Sequence, residues 1–167
     1  MRLVAATVLG TALVLSVLPL VVVVGVTGTV AAAPGQGAGG GPAAGGAAGP
    51  VALAWALDQV GKPYAWGAAG PGAFDCSGLV LRAWAAAGIS LPRVAADQYG
   101  AGEHLPVGDA GPGDLVFFAE DPGDPATIVH VGMALGDGRM VDAPHEGALV
   151  RVEPIWTVGL VPLATRP

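Results

Sequence analysis

The stretch GAFDCSGLVLRAWAAAG, residues 72–88, contains the only cysteine of the chain, Cys76. It predicts a helix that begins at the cysteine, with Asp75 as the N-terminal cap and Gly88 at the end. A catalytic cysteine acts as a thiolate, which both a helix N-terminus and a neighbouring protonated histidine favour. A lone cysteine is otherwise a small buried apolar residue or the disulfide partner of another chain. The rest of the sequence must therefore distinguish these interpretations.

A base for such a thiol lies in TIVHVGMALGDGRMVDA, residues 127–143, where two apolar runs flank a Gly-Asp-Gly turn. The pattern predicts a β-hairpin. A three-residue loop with Gly138 in the left-handed conformation places Asp142 diagonally beside His130 on one face of the sheet. A two-residue loop would shift the register by one residue and turn Asp142 to the opposite face.

Cys76, His130 and Asp142 then supply a nucleophile, a base and a carboxylate that orients the imidazole. Gly132 and Ala134 share the face of His130 and have small side chains. We therefore expect the helix that carries the cysteine to pack against this face of the hairpin.

The remaining segments indicate an α+β domain rather than a doubly wound sheet, because predicted helices precede predicted antiparallel strands. His104, in a Gly- and Pro-rich stretch, is interpreted as a solvated loop residue. Beyond the two stretches above, helices are predicted over 51–60 and 91–100, and strands over 114–119, 148–154 and 160–164.

The N-terminal segment, residues 1–33, has one charged residue, Arg2, followed by an uncharged and mostly apolar run. That run is long enough to span a membrane, and it also fits a secretory signal peptide. We favour an uncleaved anchor over a cleaved signal; either places the following chain outside the cytoplasm. PGQGAGGGPAAGGAAGP, residues 34–50, predicts a flexible linker, so the folded domain is expected over 51–167.

Charge and metal-ligand patterns exclude two classes of function. The chain has 13 acidic and 7 basic residues and a net charge of −6, without the basic clusters that a nucleic-acid partner requires. One cysteine and three histidines, without CxxC or HExxH spacing, do not predict a zinc site.

Five segments follow one another along the chain: GKPYAWGAAGPGAFDCSGLV, LPRVAADQ, PGDLVFF, HVGMALGDGRMVDAPHEG and VRV. In this order they resemble the NlpC-type cell-wall cysteine peptidases, a papain-like group, and the resemblance covers about residues 51–156. It implies helices packed on a central antiparallel sheet with the nucleophile at a helix N-terminus. Cys76 matches the family nucleophile and His130 its base. The third position is often histidine in the family and is Asp142 here.

The resemblance also implies a substrate site formed by Tyr64, Asp75, Ser77 and Arg93, with Tyr64 near the oxyanion. Val94 stands where the family usually has Thr or Ser. The implied reaction is hydrolysis of an amide bond in peptidoglycan stem peptides during cell-wall remodelling, usually between D-glutamate and the following diamino acid. It requires no metal or other cofactor. The implied partners are stem peptides and, through the N-terminal segment, the membrane, with a monomeric catalytic domain.

Two alternative functions stay open on the sequence. One is an amidase or acyltransferase that uses the same Cys76 and His130 on a different amide. The other is a catalytically silent module that binds peptidoglycan or supports assembly near the membrane. The second is disfavoured because a silent domain has no chemical reason to keep Cys76, His130 and Asp142 in register.

Overall fold

The computed structural model describes residues 45–167, with side chains from residue 47 onward. This part of the chain forms three α-helices followed by a six-stranded antiparallel sheet, which confirms the predicted α+β class. The helices are α1 (Gly45–Leu57), α2 (Cys76–Ala86) and α3 (Ala95–Tyr99). The strands are β1 (Glu103–Pro106), β2 (Leu115–Ala119), β3 (Ile128–Ala134), β4 (Arg139–Asp142), β5 (Arg151–Pro154) and β6 (Leu163–Arg166).

The sheet has the order β1-β6-β2-β3-β4-β5 and is covered on both faces. The helices pack on one face, where apolar side chains of β2, β3 and β4 join those of α1 and α2 in the larger core. The other face carries a smaller core, in which β2, β3, β4 and β6 pack against residues 105–110 and 155–160. Because both faces are buried, β2 is an uninterrupted apolar strand rather than an alternating one.

The β3–β4 hairpin has the register predicted for a three-residue loop. Met133 pairs with Val141, and Ala134 pairs with Met140. In this register the next pair is Leu135 with Arg139, which leaves the three residues 136–138 as the loop. Gly138 has a φ of 79°, the left-handed conformation that the bulged turn requires. This register keeps Asp142 on the same face as His130, as expected.

Helix α2 packs on the opposite face of the hairpin from the one predicted. Val131, Met133 and Val141 form a core with α2, whereas the space above Gly132 is filled by the Met140 side chain. The physical reason is the apolar surface area that is buried. The larger apolar side chains bury more surface against a helix than two small residues do, and so stabilise the fold more.

The thiol and the imidazole instead meet at the start of β3, where the strand contains a bulge. Phe118 pairs with His130 but Ala119 pairs with Ile128, so Val129 is left without a partner in the ladder. A bulge turns the strand and redirects its side chains, and such irregularities are frequent beside active sites. The Val129 side chain is exposed as a result.

The start of helix α1 departs from the sequence prediction. The helix begins at Gly45, inside the stretch predicted to be a flexible linker over 34–50. The Gly49 backbone contacts the backbone of Pro112 and Gly113 directly, a close approach that only a residue without a side chain permits. Tertiary packing therefore orders a segment whose composition indicated a linker.

Strand β1, which contains His104, was not expected from the sequence. His104 pairs with Thr165 of β6, and its ring lies 4.2 Å from that of Tyr99. Its side chain is exposed as expected, but it belongs to an edge strand rather than to a loop. Gly and Pro residues in and around this short strand indicated a loop rather than a strand. Pairing with β6 stabilises β1.

The predicted anchor or signal over 1–33, and the linker as far as residue 44, lie outside the described residues. Within residues 45–167, no helix is long and apolar enough to cross a membrane.

Candidate active site

Cys76 is the first residue of α2, and Asp75 caps the helix as the sequence predicted. The Asp75 carboxylate accepts a hydrogen bond of 2.7 Å from the backbone N–H of Gly78. The cap satisfies one of the backbone N–H groups that a helix start leaves unpaired, and it fixes the position of the cysteine at the positive end of the helix dipole.

The Asp75 carboxylate also organises the wall beside the cysteine. Arg93 donates to both of its oxygens, at 3.1 and 2.6 Å, and to the Ser77 hydroxyl at 2.9 Å. The backbone N–H of Gly67 donates to Asp75 at 2.9 Å and ties the preceding loop to the helix start. Asp75, Ser77 and Arg93, all predicted site residues, are thus one hydrogen-bonded cluster.

Gly78 is required because α2 passes close to the loop that precedes it. A Cβ at this position would collide with the backbone carbonyl oxygen of Ala68 and lie 2.8 Å from the Asp75 carboxylate. We expect Gly78→Ala to lower the free energy of unfolding by about 1–3 kcal/mol, because backbone must move to make room. Chemical denaturation of the full chain measures this change.

Gly72→Ala is the matched control for that prediction. A Cβ at Gly72 would meet no atom of the described chain within 4 Å, so its effect should stay below about 0.5 kcal/mol. If both glycine variants unfold like the wild type, the close approach at Gly78 does not contribute to stability.

His130 and Asp142 form the second half of the site. His130 Nε2 lies 2.9 Å from Asp142 Oδ2, in the only described histidine–carboxylate pair among residues 45–167. The Asp142 side chain is fully buried. Since Nε2 faces the carboxylate, Nδ1 is the ring nitrogen left for Cys76.

The surroundings of His130 favour its protonated form. Burial lowers the pKa of His130, but the hydrogen bonds to Asp142 and Cys76, and the charges of both groups, raise it to about 9. The ring stacks on Trp156 at 5.0 Å and contacts Phe118 at 5.7 Å between ring centres. Electrostatics and packing together therefore hold an imidazolium in a fixed orientation beside the thiol.

A cavity of about 690 Å³ opens at Cys76. Tyr64 and Trp66 stand on its wall, and the Trp66 side chain is 85% exposed, so it does not belong to the core. Burial raises the pKa of Tyr64, and the negative charges of Cys76 and Asp75 raise it further. Its hydroxyl is thus kept protonated at the mouth of the site. The other lining residues include Asp75, Ser77, Arg93, Val94 and Val129.

All residues predicted for the site are brought together, but some of their neighbours were not foreseen. Trp156 lies 14 positions beyond Asp142 in a segment without a recognisable pattern, and it nevertheless stacks on the His130 ring. Glu153, on β5, is a diagonal neighbour of Asp142 across the β4–β5 pair. The position of Glu153 beside Asp142 could be predicted only from the register of β5 against β4, and the sequence does not determine that register.

Helices packed on an antiparallel sheet, with a cysteine at a capped helix start beside a histidine–carboxylate pair, are the arrangement of the papain-like fold class. Residues 61–160 match the model of the NlpC/P60 family, and the chain belongs to that family. This confirms the resemblance and the papain-like fold inferred from the sequence.

Named relatives include the peptidoglycan endopeptidase RipB of Mycobacterium tuberculosis. It is 39% identical over 121 residues, which are 65% of this chain and 48% of that protein. The gamma-D-glutamyl-L-lysine dipeptidyl-peptidase of Bacillus subtilis is 42% identical over 93 residues, 56% of this chain and 31% of that protein. The chain thus spans less than half the length of either relative.

Among solved structures, a variant of the resuscitation-promoting-factor-interacting protein RipA, mutated at a cysteine, superposes with a TM-score of 0.66. The sequences are 36% identical, and the match covers 73% of this chain and 63% of that one. Other RipA structures carry mutations at a histidine and at a glutamate.

Proposed function

We propose that this chain is a peptidoglycan hydrolase, a cysteine endopeptidase that cleaves an amide bond in stem peptides. The proposal rests on the position of Cys76. This residue lines an open cavity and lies beside His130, whose Nε2 is 2.9 Å from Asp142 Oδ2. The NlpC/P60 relatives, a peptidoglycan endopeptidase and a gamma-D-glutamyl-L-lysine dipeptidyl-peptidase, supply the substrate class. The amidase or acyltransferase alternative uses the same residues on another amide.

The geometry supports a two-step reaction. The Cys76 thiolate attacks the amide carbonyl carbon and forms a C–S bond, while the backbone N–H of Cys76 and the Tyr64 hydroxyl stabilise the negative oxygen. The C–N bond then breaks, and the leaving amine takes the proton from His130. A thioester remains on Cys76.

Hydrolysis of the thioester restores the enzyme. His130 takes a proton from a water molecule, and the resulting hydroxide adds to the thioester carbonyl. The C–S bond breaks, the acid product leaves, and the thiolate and imidazolium form again. Asp142 holds the imidazole in one orientation and stabilises its charge through both steps.

Asp142 is proposed as the third member of the catalytic set. In RipA, the mutated histidine and glutamate are 12 residues apart by their numbers, the same separation as His130 and Asp142 here. A carboxylate at that position supports the role of Asp142 in orienting the imidazole.

Asp142→Ala should lower kcat/KM by about 10²–10³-fold, less than loss of the nucleophile, because the imidazole remains but is no longer held. Loss of this hydrogen bond should also lower the pKa of His130, which is about 9 in the intact site. The alkaline limb of the pH–rate profile should therefore move to lower pH. A variant with the wild-type rate and profile would rule out Asp142 as the orienting group.

Tyr64, Asp75, Ser77 and Arg93 are proposed to bind the part of the stem peptide on the amino-terminal side of the cleaved bond. All four line the cavity beside Cys76. Asp75, Ser77 and Arg93 are held in place by their mutual hydrogen bonds, which favours recognition of a polar peptide terminus.

The proposed bond lies between D-glutamate and the diamino acid, by analogy with the bond in the name of the Bacillus relative. Synthetic L-Ala–γ-D-Glu–diamino acid peptides, with the first amine free or acetylated, test both bond and binding site. Mass analysis should find cleavage after the γ-linked D-glutamate and a higher KM for the acetylated peptide. Cleavage at another amide would refute the proposed bond, and equal KM values would refute recognition of the amine.

The proposed place of action is the cell wall, outside the cytoplasm. Residues 1–33 are proposed as the anchor or signal that delivers the domain there, and the following Gly- and Pro-rich residues as its tether.

A further inference from the structure

Strand β5, which pairs with β4, places two charged residues, Arg151 and Glu153, beside the buried Asp142. Asp142 pairs directly with Arg151, and Met140 pairs with Glu153, so Glu153 is a diagonal neighbour of Asp142. Side chains at these positions point to the same side of the sheet. His130, Asp142, Glu153 and Arg151 therefore form a continuous polar row from β3 to β5.

Two oxygens in this row lack a hydrogen-bond donor among residues 45–167. They are Asp142 Oδ1 and Glu153 Oε1, and both are buried. Asp142 uses only Oδ2 to bind His130. Arg151 Nε lies 3.1 Å from Glu153 Oε1, but the two are not aligned for a hydrogen bond.

The two carboxyl groups belong to diagonal neighbours on one face of the sheet. Burial raises the pKa of Asp142, the hydrogen bond from His130 lowers it, and the negative charge of Glu153 raises it again. Two neighbouring carboxylates at a buried position do not both ionise easily, and one proton between them removes the repulsion. A proton on the Glu153 carboxyl would also supply the donor that Asp142 Oδ1 lacks.

We propose that Glu153 is a positioning residue whose carboxyl group shares one proton with Asp142. The resulting hydrogen bond holds Asp142 Oδ1, so that Asp142 Oδ2 stays directed at His130. The role deepens the proposed function and rests on it. The charged groups that face the pair are His130 on β3 and Arg151 on β5, with Cys76 of α2 beyond the imidazole. The Arg151 side chain is 44% exposed and stabilises the negative charge that remains on the pair.

Glu153→Gln and Glu153→Ala separate this arrangement from a structural role. The glutamine amide can donate to Asp142 as the shared proton does, whereas alanine leaves Asp142 Oδ1 without a donor. We expect Glu153→Ala to lower kcat about 10-fold with little change in KM, and Glu153→Gln to stay within about threefold of wild type. Glu120→Gln, a similar change at an exposed position, serves as the control.

The charge state is tested without substrate by an NMR titration of the His130 ring in the full chain. With a shared proton, Glu153→Gln removes no net charge, so the His130 midpoint should change by less than about 0.3 pH units. If both carboxyls are ionised, the same variant removes a negative charge and lowers the midpoint by about 1 unit. That drop, or a wild-type kcat for Glu153→Ala, would overturn the inference.

The two kinds of failure are distinguishable. A folded wild type that hydrolyses no stem peptide would refute the proposed function, while the titration would still report on the pair. An active wild type whose His130 midpoint falls in Glu153→Gln would refute only the shared proton.

Discussion

Cys76→Ala should lower hydrolysis of a stem peptide by about 10⁴-fold or more while the fold is retained. Cys76 is the only thiol of the chain, and the neighbouring Ser77 hydroxyl is hydrogen-bonded to Asp75 and Arg93. When the nucleophile of a catalytic triad is removed, the enzyme commonly loses nearly all of the rate enhancement that the triad provides. The measurement is kcat/KM on a synthetic stem peptide, with the midpoint of thermal unfolding measured beside it.

The fold should tolerate this change because Cys76 is only partly buried and Asp75 still caps α2. Cys76→Ser is the control for shape, since it keeps a side chain of similar size that is a much weaker nucleophile. Treatment of the wild type with iodoacetamide should abolish activity to the same extent. Appreciable turnover by Cys76→Ala would assign the chemistry to a different residue.

His130→Ala should have the second largest effect, a loss of about 10³–10⁴-fold in kcat/KM. The imidazolium serves as the acid for the leaving amine and stabilises the thiolate. Wild-type activity should therefore decline above about pH 9, where His130 loses its proton. The variant should also react more slowly with iodoacetamide at neutral pH, which is measured on the single cysteine by intact mass.

His104→Ala is the matched control for that variant. His104 lies on the exposed face of the edge strand β1, so its removal should change kcat/KM by less than about twofold. A His130→Ala variant that is as active as His104→Ala would exclude His130 as the base.

The hairpin that carries His130 and Asp142 was predictable because its turn has few conformations. Gly138 permits the left-handed residue of a three-residue loop, and that loop fixes the register by two-residue periodicity alone. That register makes Asp142 a diagonal neighbour of His130 on one face, and their side chains approach to 2.9 Å. The helix cap at Asp75 was predictable for the same reason, as it depends only on neighbours in the chain.

Features that depend on distant parts of the chain were not predictable. The face of the hairpin on which α2 packs is decided by the burial of Val131, Met133 and Val141, not by space above Gly132. The extension of α1 to Gly45 and the edge strand β1 likewise depend on contacts with segments more than 50 residues away. Sequence patterns report local preference, and tertiary packing overrides it.

Mass analysis of purified peptidoglycan, after incubation with the full chain or with Cys76→Ala, tests whether Cys76 cleaves stem peptides. Wild type alone should produce fragments with a new carboxyl group on D-glutamate and a new amine on the diamino acid. Peptide fragments that appear equally with the variant would contradict the assignment of Cys76. Intact stem peptides after incubation with folded wild type would contradict the proposed hydrolase activity.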